Sequence, residues 1–332
     1  MKCLVAGGAG YIGSHVVLKL IEQGHDVDII DDLSTGSEKS LNCLSENGWK
    51  GKFCKCDVGD IRKVSEFIQL NSYDVCLYFA GLISVGESVK QPIRYYQNNV
   101  SKLPEFLSSL MFHGVNKFIF SSSAGVYGQQ EDNNLIREDA VLNPSSPYGM
   151  TKLMSEQILK SCSDAYPQFK YTCLRYFNVA GNNMDRKIGD YNFESKSNLI
   201  PMCCSAAMGS KPSIKIYGTD YNTADGTCIR DYIHVDDLAE AHVVMLDKVD
   251  NTCYNVGNGV GYSVREVVDS CLKRTAKNIL VEEEDRRPGD PDYLCADPSR
   301  FKKRTGWEPN ITDIDDITAS AWNWIKKERR IP

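Results

Sequence analysis

The segment Gly7-Gly8-Ala9-Gly10-Tyr11-Ile12-Gly13 follows an apolar run, Lys2 to Ala6, and precedes an amphipathic run from Ser14 to Gln23. This order predicts a strand, a glycine-rich turn and a helix. Glycines let the backbone turn tightly and approach a pyrophosphate, whose charge is favoured at the N-terminus of the helix. We therefore predict that the chain begins with the first unit of a dinucleotide-binding fold.

A second apolar run ends in two carboxylates, where such a fold makes its ribose contact. Val27 to Ile30 leads into Asp31 and Asp32, and Asp31 lies about 18 residues beyond Gly13. A carboxylate at this distance accepts hydrogen bonds from ribose hydroxyls. No arginine occurs between Asp32 and Arg62, so a 2′-phosphate would meet two carboxylates and no arginine partner. These features favour NAD over NADP as the cofactor.

Apolar strands and amphipathic helices continue to alternate as far as Arg175, and this alternation decides the fold class. The pattern predicts strands over 52–56, 73–79, 117–120 and 171–175, and helices over 61–70, 92–112 (with a kink at Pro104) and 146–165. Such alternation is typical of an α/β protein with a Rossmann-type doubly wound parallel sheet. Ligands of these proteins lie at the carboxyl ends of the strands.

After Phe177 the sequence becomes more polar and irregular, which indicates a second lobe. We expect residues 1–178 to form an NAD-binding domain, with 228–255 returning to it, and residues 179–332 to form a smaller, interleaved substrate-binding lobe. Within that lobe the pattern predicts helices over 199–208, 235–246 and 314–326, and a turn over 287–291.

Composition excludes several classes of protein. The chain has a net charge of −6 and no extended basic tract, which argues against nucleic-acid binding. It contains no apolar run approaching the roughly 20 residues of a membrane span and no secretory signal, so we expect a cytoplasmic protein without membrane contact. The 13 cysteines form no CxxC pair and the 5 histidines are scattered, so we predict reduced thiols and no metal site.

The segment Pro147-Tyr148-Gly149-Met150-Thr151-Lys152 carries a candidate acid–base pair. Tyr148 and Lys152 are four residues apart, so on a helix they share one face. A cation held there favours the phenolate and is expected to lower the pKa of Tyr148 toward neutrality. Such a phenol can remove a proton from a sugar hydroxyl. Ser123, at the end of the preceding predicted strand, completes a candidate catalytic group.

With its glycine-rich turn, its alternating strands and helices and its Ser123, Tyr148 and Lys152 group, the chain resembles the UDP-glucose 4-epimerases. These are extended members of the short-chain dehydrogenase/reductase superfamily. The similarity runs from residue 1 to about residue 325. It is carried by Gly7 to Ser14, Phe79 to Leu82, Tyr95 to Val100, Ser121 to Gly128, Ser146 to Lys152, Leu174 to Asn178, Asp225 to Thr227 and Arg230 to Val235.

The resemblance implies an NAD-dependent isomerase that interconverts UDP-galactose and UDP-glucose through transient oxidation at C4. Tyr148, beside Lys152, would take the proton of the 4-hydroxyl, and Ser123 would orient that hydroxyl. The implied cofactor-binding residues are Gly7, Gly10, Tyr11, Ile12, Gly13, Asp31, Asp32, Leu33, Ser34, Thr35, Gly36, Asp57, Val58, Phe79, Ala80, Gly81, Asn98, Tyr176 and Phe177, together with Ser123, Tyr148 and Lys152.

The resemblance also implies a set of contacts to the UDP-sugar. Besides Ser123 and Tyr148, these are Asn178, Asn198, Leu199, Tyr217, Arg230, Arg287, Asp290 and Leu294. Two readings compete with this assignment, because Arg230 could form a structural ion pair with the adjacent Asp231 and Tyr217 could be a core residue. The helices over 92–112 and 146–165 match those that pair in dimers of the family, which implies a homodimer.

Two positions depart from the family pattern. Many epimerases carry a lysine directly after Phe-Ala-Gly-Leu, whereas this chain has Ile83, which puts one cationic contact in doubt. Leu294 occupies the position at which a tyrosine limits the sugar pocket and a small residue admits an N-acetyl group. Leucine is smaller than tyrosine, so UDP-GlcNAc and UDP-GalNAc remain alternative substrates.

Two other functions compete with epimerisation. A nucleotide-sugar 4,6-dehydratase needs an additional acid and base beside the serine, but Ala124 and Gly125 stand there. A catalytically silent NAD-binding regulator is the alternative from a different class of protein. The presence of Ser123, Tyr148 and Lys152 together argues against it.

Overall fold

Parallel strands form the central sheet of the computed structural model, which describes residues 1–130, 134–287 and 290–331. The strands in chain order are β1 (Lys2–Ala6), β2 (Asp26–Asp31), β3 (Phe53–Lys55), β4 (Val75–Tyr78), β5 (Lys117–Ser123), β6 (Lys170–Tyr176), β7 (Asn178–Ala180), β8 (Ser213–Tyr217), β9 (Ile229–His234), β10 (Thr252–Val256), β11 (Gly261–Ser263), β12 (Leu280–Glu284) and β13 (Tyr293–Leu294). Pro288 and Gly289 of the turn predicted over 287–291 lie outside the described residues.

The helices complete the alternation. They are α1 (Tyr11–Glu22), α2 (Glu38–Glu46), α3 (Ile61–Gln69), α4 (Val85–Lys90), α5 (Pro92–Tyr96), α6 (Leu103–Phe112), α7 (Pro147–Ala165), α8 (Leu199–Ala207), α9 (Val235–Met245), α10 (Val264–Thr275), α11 (Ser299–Thr305) and α12 (Ile314–Arg329). A π-helical turn spans Gln97–Ser101, and short 3₁₀ turns span Ala124–Val126 and Phe193–Ser195.

The strand order of the central sheet is β10-β6-β5-β4-β1-β2-β3, and its paired strands run parallel. The order reverses between β1 and β4, which opens a crevice at their carboxyl ends. This arrangement confirms the predicted α/β class with a Rossmann-type doubly wound sheet. The edge strand β10 joins the sheet beside β6 only after the chain has passed through β7, β8 and β9.

Both faces of the sheet are covered, as its apolar strands require. Leu4 and Ile30 pack with Phe106 of α6 on one face. Val5 and its neighbours pack on the other face with residues of α1 and α9, including Val16. Burial of alternate strand residues on opposite sides therefore fixes the sheet between two helical layers.

A smaller second sheet contains β7, β9, β11 and β13, and β8 pairs with β12 alone. Apolar residues of these strands form a separate core with α8, α10 and α12. This core includes Ile200, Val267 and Trp322. The chain thus crosses between the two cores more than once. The division into a cofactor lobe, 1–178 with 228–255, and a substrate lobe, 179–332, stays a prediction.

The predicted single helix over 92–112 is wrong in detail, because the structure divides it into α5, a π-helical turn and α6. Pro104 lies in the first turn of α6 rather than at an interior kink. It has no N–H to donate to the carbonyl of residue 100, so an α-helical ladder cannot run through this point. The wider turn over 97–101 absorbs the mismatch.

Candidate active site

A cleft of about 570 Å³ opens at the carboxyl ends of β1, β2 and β4. Twelve of the residues assigned to the cofactor from sequence line it: Gly7, Gly10, Asp31, Asp32, Ser34, Thr35, Asp57, Val58, Phe79, Ala80, Gly81 and Asn98. Leu82 and Lys102 also line the cleft and were not among the assigned residues. The crevice of the fold and the predicted cofactor positions therefore coincide.

The glycine turn has the geometry that a dinucleotide phosphate needs. Gly7 has φ +81°, and a Cβ there would lie 2.6 Å from the backbone nitrogen of Ala80. A Cβ at Gly13 would lie 2.1 Å from the carbonyl oxygen of Gly7. Gly10 caps α1 without a side-chain hydrogen bond, and the first turn of α1 contains no acidic residue. The N-terminus of α1 is thus suited to a bound anion.

Asp31 is the last residue of β2 and lines the cleft. One carboxylate oxygen accepts a hydrogen bond from the backbone N–H of Ala9 at 3.0 Å, and the other accepts one from Leu33 at 2.8 Å. Burial raises the pKa of Asp31 above its usual value more than these two hydrogen bonds lower it. Gly36 packs so closely behind the carboxylate that a Cβ would lie 2.9 Å from Asp31 Oδ1. The acceptor is therefore fixed in position.

Lys102 marks the end of the cleft where Asp57 and Val58 lie. Its Nζ donates to Asp57 Oδ2 at 2.5 Å and to Asn98 Oδ1 at 2.7 Å. Sequence reasoning missed this lysine, although its spacing of four residues from Asn98 would have placed both on one helix face. Lys102 therefore links the carboxylate of Asp57, which follows β3, to Asn98 in the π-helical turn.

Asn99 fixes the loop that follows β4. Its Oδ1 accepts from the backbone N–H of Leu82 at 2.8 Å, and its Nδ2 donates to the Leu82 carbonyl at 2.9 Å. Nδ2 also donates to Thr151 Oγ1 at 3.2 Å, which reaches α7. Asn99 lies in the π-helical turn and was not assigned to the site, because this role depends on the break in the helix.

The remaining residues assigned to the cofactor lie around the cleft rather than among its lining residues. Tyr11, Ile12 and Gly13 form the first turn of α1, and the Tyr11 hydroxyl donates to the Gly181 carbonyl at 2.5 Å. Leu33 has φ +62° and packs against the core. Tyr176 is buried with its hydroxyl 3.3 Å from His242 Nε2, and Phe177 is buried beside Tyr127.

Local sequence explains where the predicted catalytic tyrosine lies. Ser146 caps α7 by accepting from the backbone N–H of Gly149 at 3.2 Å, and Pro147 begins the helix. Tyr148 is therefore in the first turn of α7. A Cβ at Gly149 would lie 2.3 Å from the Gly125 carbonyl, so this turn packs directly against the residues that follow β5. Ser123, the last residue of β5, lies next to Tyr148, because a Cβ at Gly125 would be 3.4 Å from Ser123 Oγ and 3.8 Å from Tyr148 Cε1.

Lys152 lies one turn further along α7, and its side chain is buried. Its Nζ donates to the Ser121 carbonyl at 2.8 Å and lies 5.8 Å from the centroid of the Tyr148 ring. Burial lowers the pKa of Lys152 to about 8. The structure thus brings Ser123, Tyr148 and Lys152 together beside the cleft.

The expected lowering of the Tyr148 pKa is not what the structure shows. Desolvation raises the pKa of the phenol above its usual value, and the hydrogen bond with Ser123 lowers it by less. Lys152 directs its ammonium to a backbone carbonyl instead of to the phenol oxygen. The expectation failed because spacing along a helix does not report burial.

A buried ion pair lies next to the candidate catalytic group. The two carboxylate oxygens of Glu156 accept from Arg175 at 2.9 and 2.6 Å, and Ser122 Oγ donates to Glu156 Oε1 at 2.5 Å. Arg175 also donates to the Tyr127 hydroxyl at 2.9 Å, and that hydroxyl donates to Asn255 Oδ1 at 2.7 Å. This network joins β5, β6, α7 and β10, and it was missed from sequence although Glu156 lies four residues beyond Lys152.

Glu156 also belongs to a group of potential metal ligands with Cys173 and Cys253. Because Arg175 engages both of its carboxylate oxygens, the donor set does not fit a metal ion.

The residues assigned to the substrate come mainly from the second sheet and the segments beside it. Arg230 is buried in β9, and its Nη2 lies 2.5 Å from Asp290 Oδ1. Asp231 instead accepts backbone hydrogen bonds from Asn258, Gly259 and Ala296, and burial raises its pKa to about 6. The alternative pairing of Arg230 with its neighbour Asp231 is therefore wrong.

The other substrate candidates surround this ion pair. The Arg287 guanidinium stacks 3.9 Å from the centroid of the half-buried Tyr217 ring. Leu294 lies opposite Arg230 in the β13–β9 pairing and packs in a cluster that contains Phe177. Asn178 begins β7, Asn198 caps α8 and Leu199 begins it.

Comparison with known proteins gives a consistent result along the chain. Residues 3–257 match the model of the NAD dependent epimerase/dehydratase family. A UDP-glucose 4-epimerase of Halalkalibacterium halodurans is 40% identical over 331 residues, covering 98% of this chain and 96% of the relative.

No helix among the described residues is long and apolar enough to cross a membrane.

Solved structures agree with this match. The UDP-glucose 4-epimerase of Stenotrophomonas maltophila, crystallised with bound NAD and formylated UDP-arabinopyranose, is 35% identical with a TM-score of 0.94 and full coverage of both chains. The UDP-Glc/GlcNAc 4-epimerase of Campylobacter jejuni is 39% identical with a TM-score of 0.86, covering 98% of this chain and 99% of that one.

Proposed function

Because this chain belongs to the NAD-dependent epimerase/dehydratase family, we propose that it interconverts UDP-galactose and UDP-glucose at C4 with bound NAD. The observation that carries the proposal is the grouping of Ser123 and Tyr148 around Gly125, with Lys152 buried one turn along α7, beside a dinucleotide cleft. An acid–base group in that position suits a reaction that removes and returns one hydroxyl proton.

Residues that line the cleft would hold the cofactor. Gly7 and Gly10 would approach the pyrophosphate at the N-terminus of α1, and Asp31 would accept hydrogen bonds from a ribose. Asp57 and Val58 would flank the adenine, and Ala80 and Gly81 would contact the middle of the cofactor. When bound, NAD supplies the group that takes a hydride from C4 and returns it to the opposite face of the sugar.

Tyr148 exchanges the proton of the 4-hydroxyl, and Ser123 orients that hydroxyl while it stabilises the phenolate. Lys152 contributes its positive charge near the ring of Tyr148, which favours the ionised phenol when the proton is taken. The 4-keto sugar then turns in the pocket before the proton returns. Tight anchoring of the diphosphate by Arg230 and Arg287, with few contacts to the sugar, allows that rotation.

Direct conversion tests the proposal. The purified chain is incubated with UDP-galactose and, separately, with UDP-GalNAc, and the C4 epimers are resolved chromatographically. We expect conversion of UDP-galactose until both epimers stand at equilibrium. If neither UDP-galactose nor UDP-GalNAc is converted, epimerisation is contradicted.

Leu294 keeps a second substrate class open. Leucine leaves more room than tyrosine beside Phe177, and the Campylobacter relative is named for both plain and N-acetylated sugars. We predict that Leu294→Tyr loses activity on UDP-GalNAc before activity on UDP-galactose. Rates on both substrates measure this, and an equal loss on the two would exclude Leu294 as the residue that sets sugar size.

A homodimer and a cytoplasmic location complete the proposal. The helices over 92–112 and 146–165 match those that pair in dimers of the family, which supports a homodimer through these segments. In the structure, α5 and the π-helical turn pack beside α7. Within residues 92–112, Ile93 of α5 and Phe112 at the end of α6 are exposed. Exposed apolar side chains on both ends of that segment are consistent with a covered surface.

A further inference from the structure

A second cavity, of about 400 Å³, adjoins the cofactor cleft and shares Gly10 and Thr35 with it. Its walls also include Tyr11 at the start of α1, Ile83 in the loop after β4, and Lys196 in the segment before α8. The cavity therefore lies beside the glycine turn, where three separate parts of the chain meet.

Lys196 is held firmly at this cavity. Its side chain is 17% exposed, and its Nζ lies 2.6 Å from Asp190 Oδ2 and 4.2 Å from the centroid of the Tyr11 ring. Asp190 is itself fixed, because its carboxylate accepts from the backbone N–H of Asn192 at 3.1 Å. An ammonium group has three donors, so the ion pair leaves hydrogen-bonding capacity for a second anion.

The segment that carries Lys196 is tied to the cofactor-binding loops at two points. The Tyr11 hydroxyl donates to the Gly181 carbonyl at 2.5 Å. Asn192 Nδ2 donates to the Thr35 carbonyl at 2.8 Å. Lys196 therefore keeps its place relative to Gly10 and Tyr11.

Most charged side chains around the two cavities are carboxylates, so a lysine there matters for the binding of a pyrophosphate. The carboxylates of Asp31, Asp32 and Asp57 line the cleft, and they oppose a bound pyrophosphate. Among the described residues that line either space, the cationic side chains are Lys102, which is paired with Asp57, and Lys196, which is paired with Asp190. Ile83, which also lines the second cavity, has an apolar side chain and supplies no positive charge.

We propose that Lys196 is a cofactor-binding residue whose ammonium group contacts the phosphate oxygens of NAD beside the glycine turn. It supplies from the second lobe the positive charge that Ile83 does not supply from the loop after β4. The proposal rests on NAD binding and not on the identity of the sugar.

Exchange of bound NAD for excess isotope-labelled NAD tests this role in the full chain without a UDP-sugar. Lys196→Gln removes the charge, and we expect bound NAD to dissociate about 10-fold faster, the usual size of a lost charge-assisted hydrogen bond. Lys196→Arg should stay within about 3-fold of the wild type. Lys187→Gln, which loses exposed ion pairs to Glu22 and Asp185 in the same segment, is the matched control and should leave the rate unchanged.

A compensating substitution separates a charge effect from a structural one. We expect Ile83→Lys combined with Lys196→Gln to restore the dissociation rate to within about 3-fold of the wild type. An unchanged rate in Lys196→Gln would overturn the proposal. So would a faster rate that neither Lys196→Arg nor the Ile83→Lys combination corrects.

Asp190→Asn decides the question if Lys196→Gln does not show cooperative thermal unfolding. Removal of the competing carboxylate should leave NAD bound at least as tightly as in the wild type, and faster dissociation would overturn the proposal. Conversion of UDP-galactose is measured separately. A wild-type chain that exchanges NAD but converts no UDP-sugar would contradict the proposed substrate while the exchange rates still decide the role of Lys196.

Discussion

Tyr148 illustrates how one residue can be found from sequence while its chemical state cannot. The spacing to Lys152 and the position of Ser123 at a strand end are local features, and the structure brings these three residues together. The pKa of Tyr148 depends on desolvation by distant parts of the chain, which raises it. Helical spacing carries no information on that burial.

Removal of the Tyr148 hydroxyl gives the most direct test of its role. We expect Tyr148→Phe to lower kcat on UDP-galactose by about 10²- to 10⁴-fold, the usual contribution of a positioned acid–base group. The ring remains, so bound NAD should be retained. Steady-state rates and the NAD content of the purified variant measure both quantities, and near-normal turnover with NAD bound would exclude Tyr148 as the proton acceptor.

Lys152 makes folding depend on pH in a defined direction. Its pKa is lowered from 10.5 to about 8 in the folded chain, so the unfolded chain binds more protons between these values. Burial of the charged form costs stability at neutral pH, and that cost disappears as the pH rises above 8.

Lys152→Met lacks this dependence. We expect the stability of the wild type relative to the variant to rise by about 2 kcal/mol between pH 7.5 and pH 9.5. Urea unfolding of both proteins at several pH values measures the difference. A difference that is constant across this range would show that the Lys152 pKa is not lowered.

At the scale of elements, the break between α5 and α6 does more than interrupt a helix. The π-helical turn presents Asn98 to the cleft and Asn99 to the loop after β4. Pro104 signalled an irregularity, but the position of the wide turn depends on the contacts of Asn99 with Leu82 and Thr151. Those contacts join residues far apart in sequence, which periodicity does not reveal.

Loss of the Asn99 side chain should loosen the loop that lines the cofactor cleft. We expect Asn99→Ala to lower the free energy of unfolding by about 1 to 3 kcal/mol, because the half-buried backbone N–H and carbonyl of Leu82 lose their hydrogen-bond partner. NAD should also bind more weakly. Gln97→Ala, an exposed position in the same turn, is the control, and equal effects of the two substitutions would argue against the loop contact.

At the scale of the whole molecule, the parallel sheet and the helices α8, α9 and α12 could be predicted from sequence, whereas the pairing of the second sheet could not. Alternating strands and helices over the first 176 residues fix the topology, because each strand is apolar and each crossover is helical. The second sheet uses strands as short as Tyr293–Leu294, which are defined only by pairing with β9. Short strands of this kind have no periodicity to recognise.

The proposed homodimer is testable through its exposed apolar residues. Ile93 and Phe112 are 72% and 85% exposed, and carboxylates at both positions would be buried without partners in a dimer. We expect Ile93→Asp/Phe112→Asp to raise the dimer dissociation constant at least about 10-fold, measured by sedimentation velocity. Leu280→Asp, at an exposed position on β12, is the control. A wild-type chain that sediments as a monomer would exclude the dimer.

The edge position of β10 has a consequence for how the protein can be divided. A fragment that ends at Asn178 would lack β10 and leave the backbone of β6 unpaired along a buried edge. It would also lack α9, whose Leu238 and Val243 cover one face of the sheet. Such a fragment would expose a strand edge and an apolar surface that promote aggregation. We therefore expect that residues 1–178 do not fold as an independent module, and that limited proteolysis after Asn178 destroys this part of the chain rather than releasing it intact.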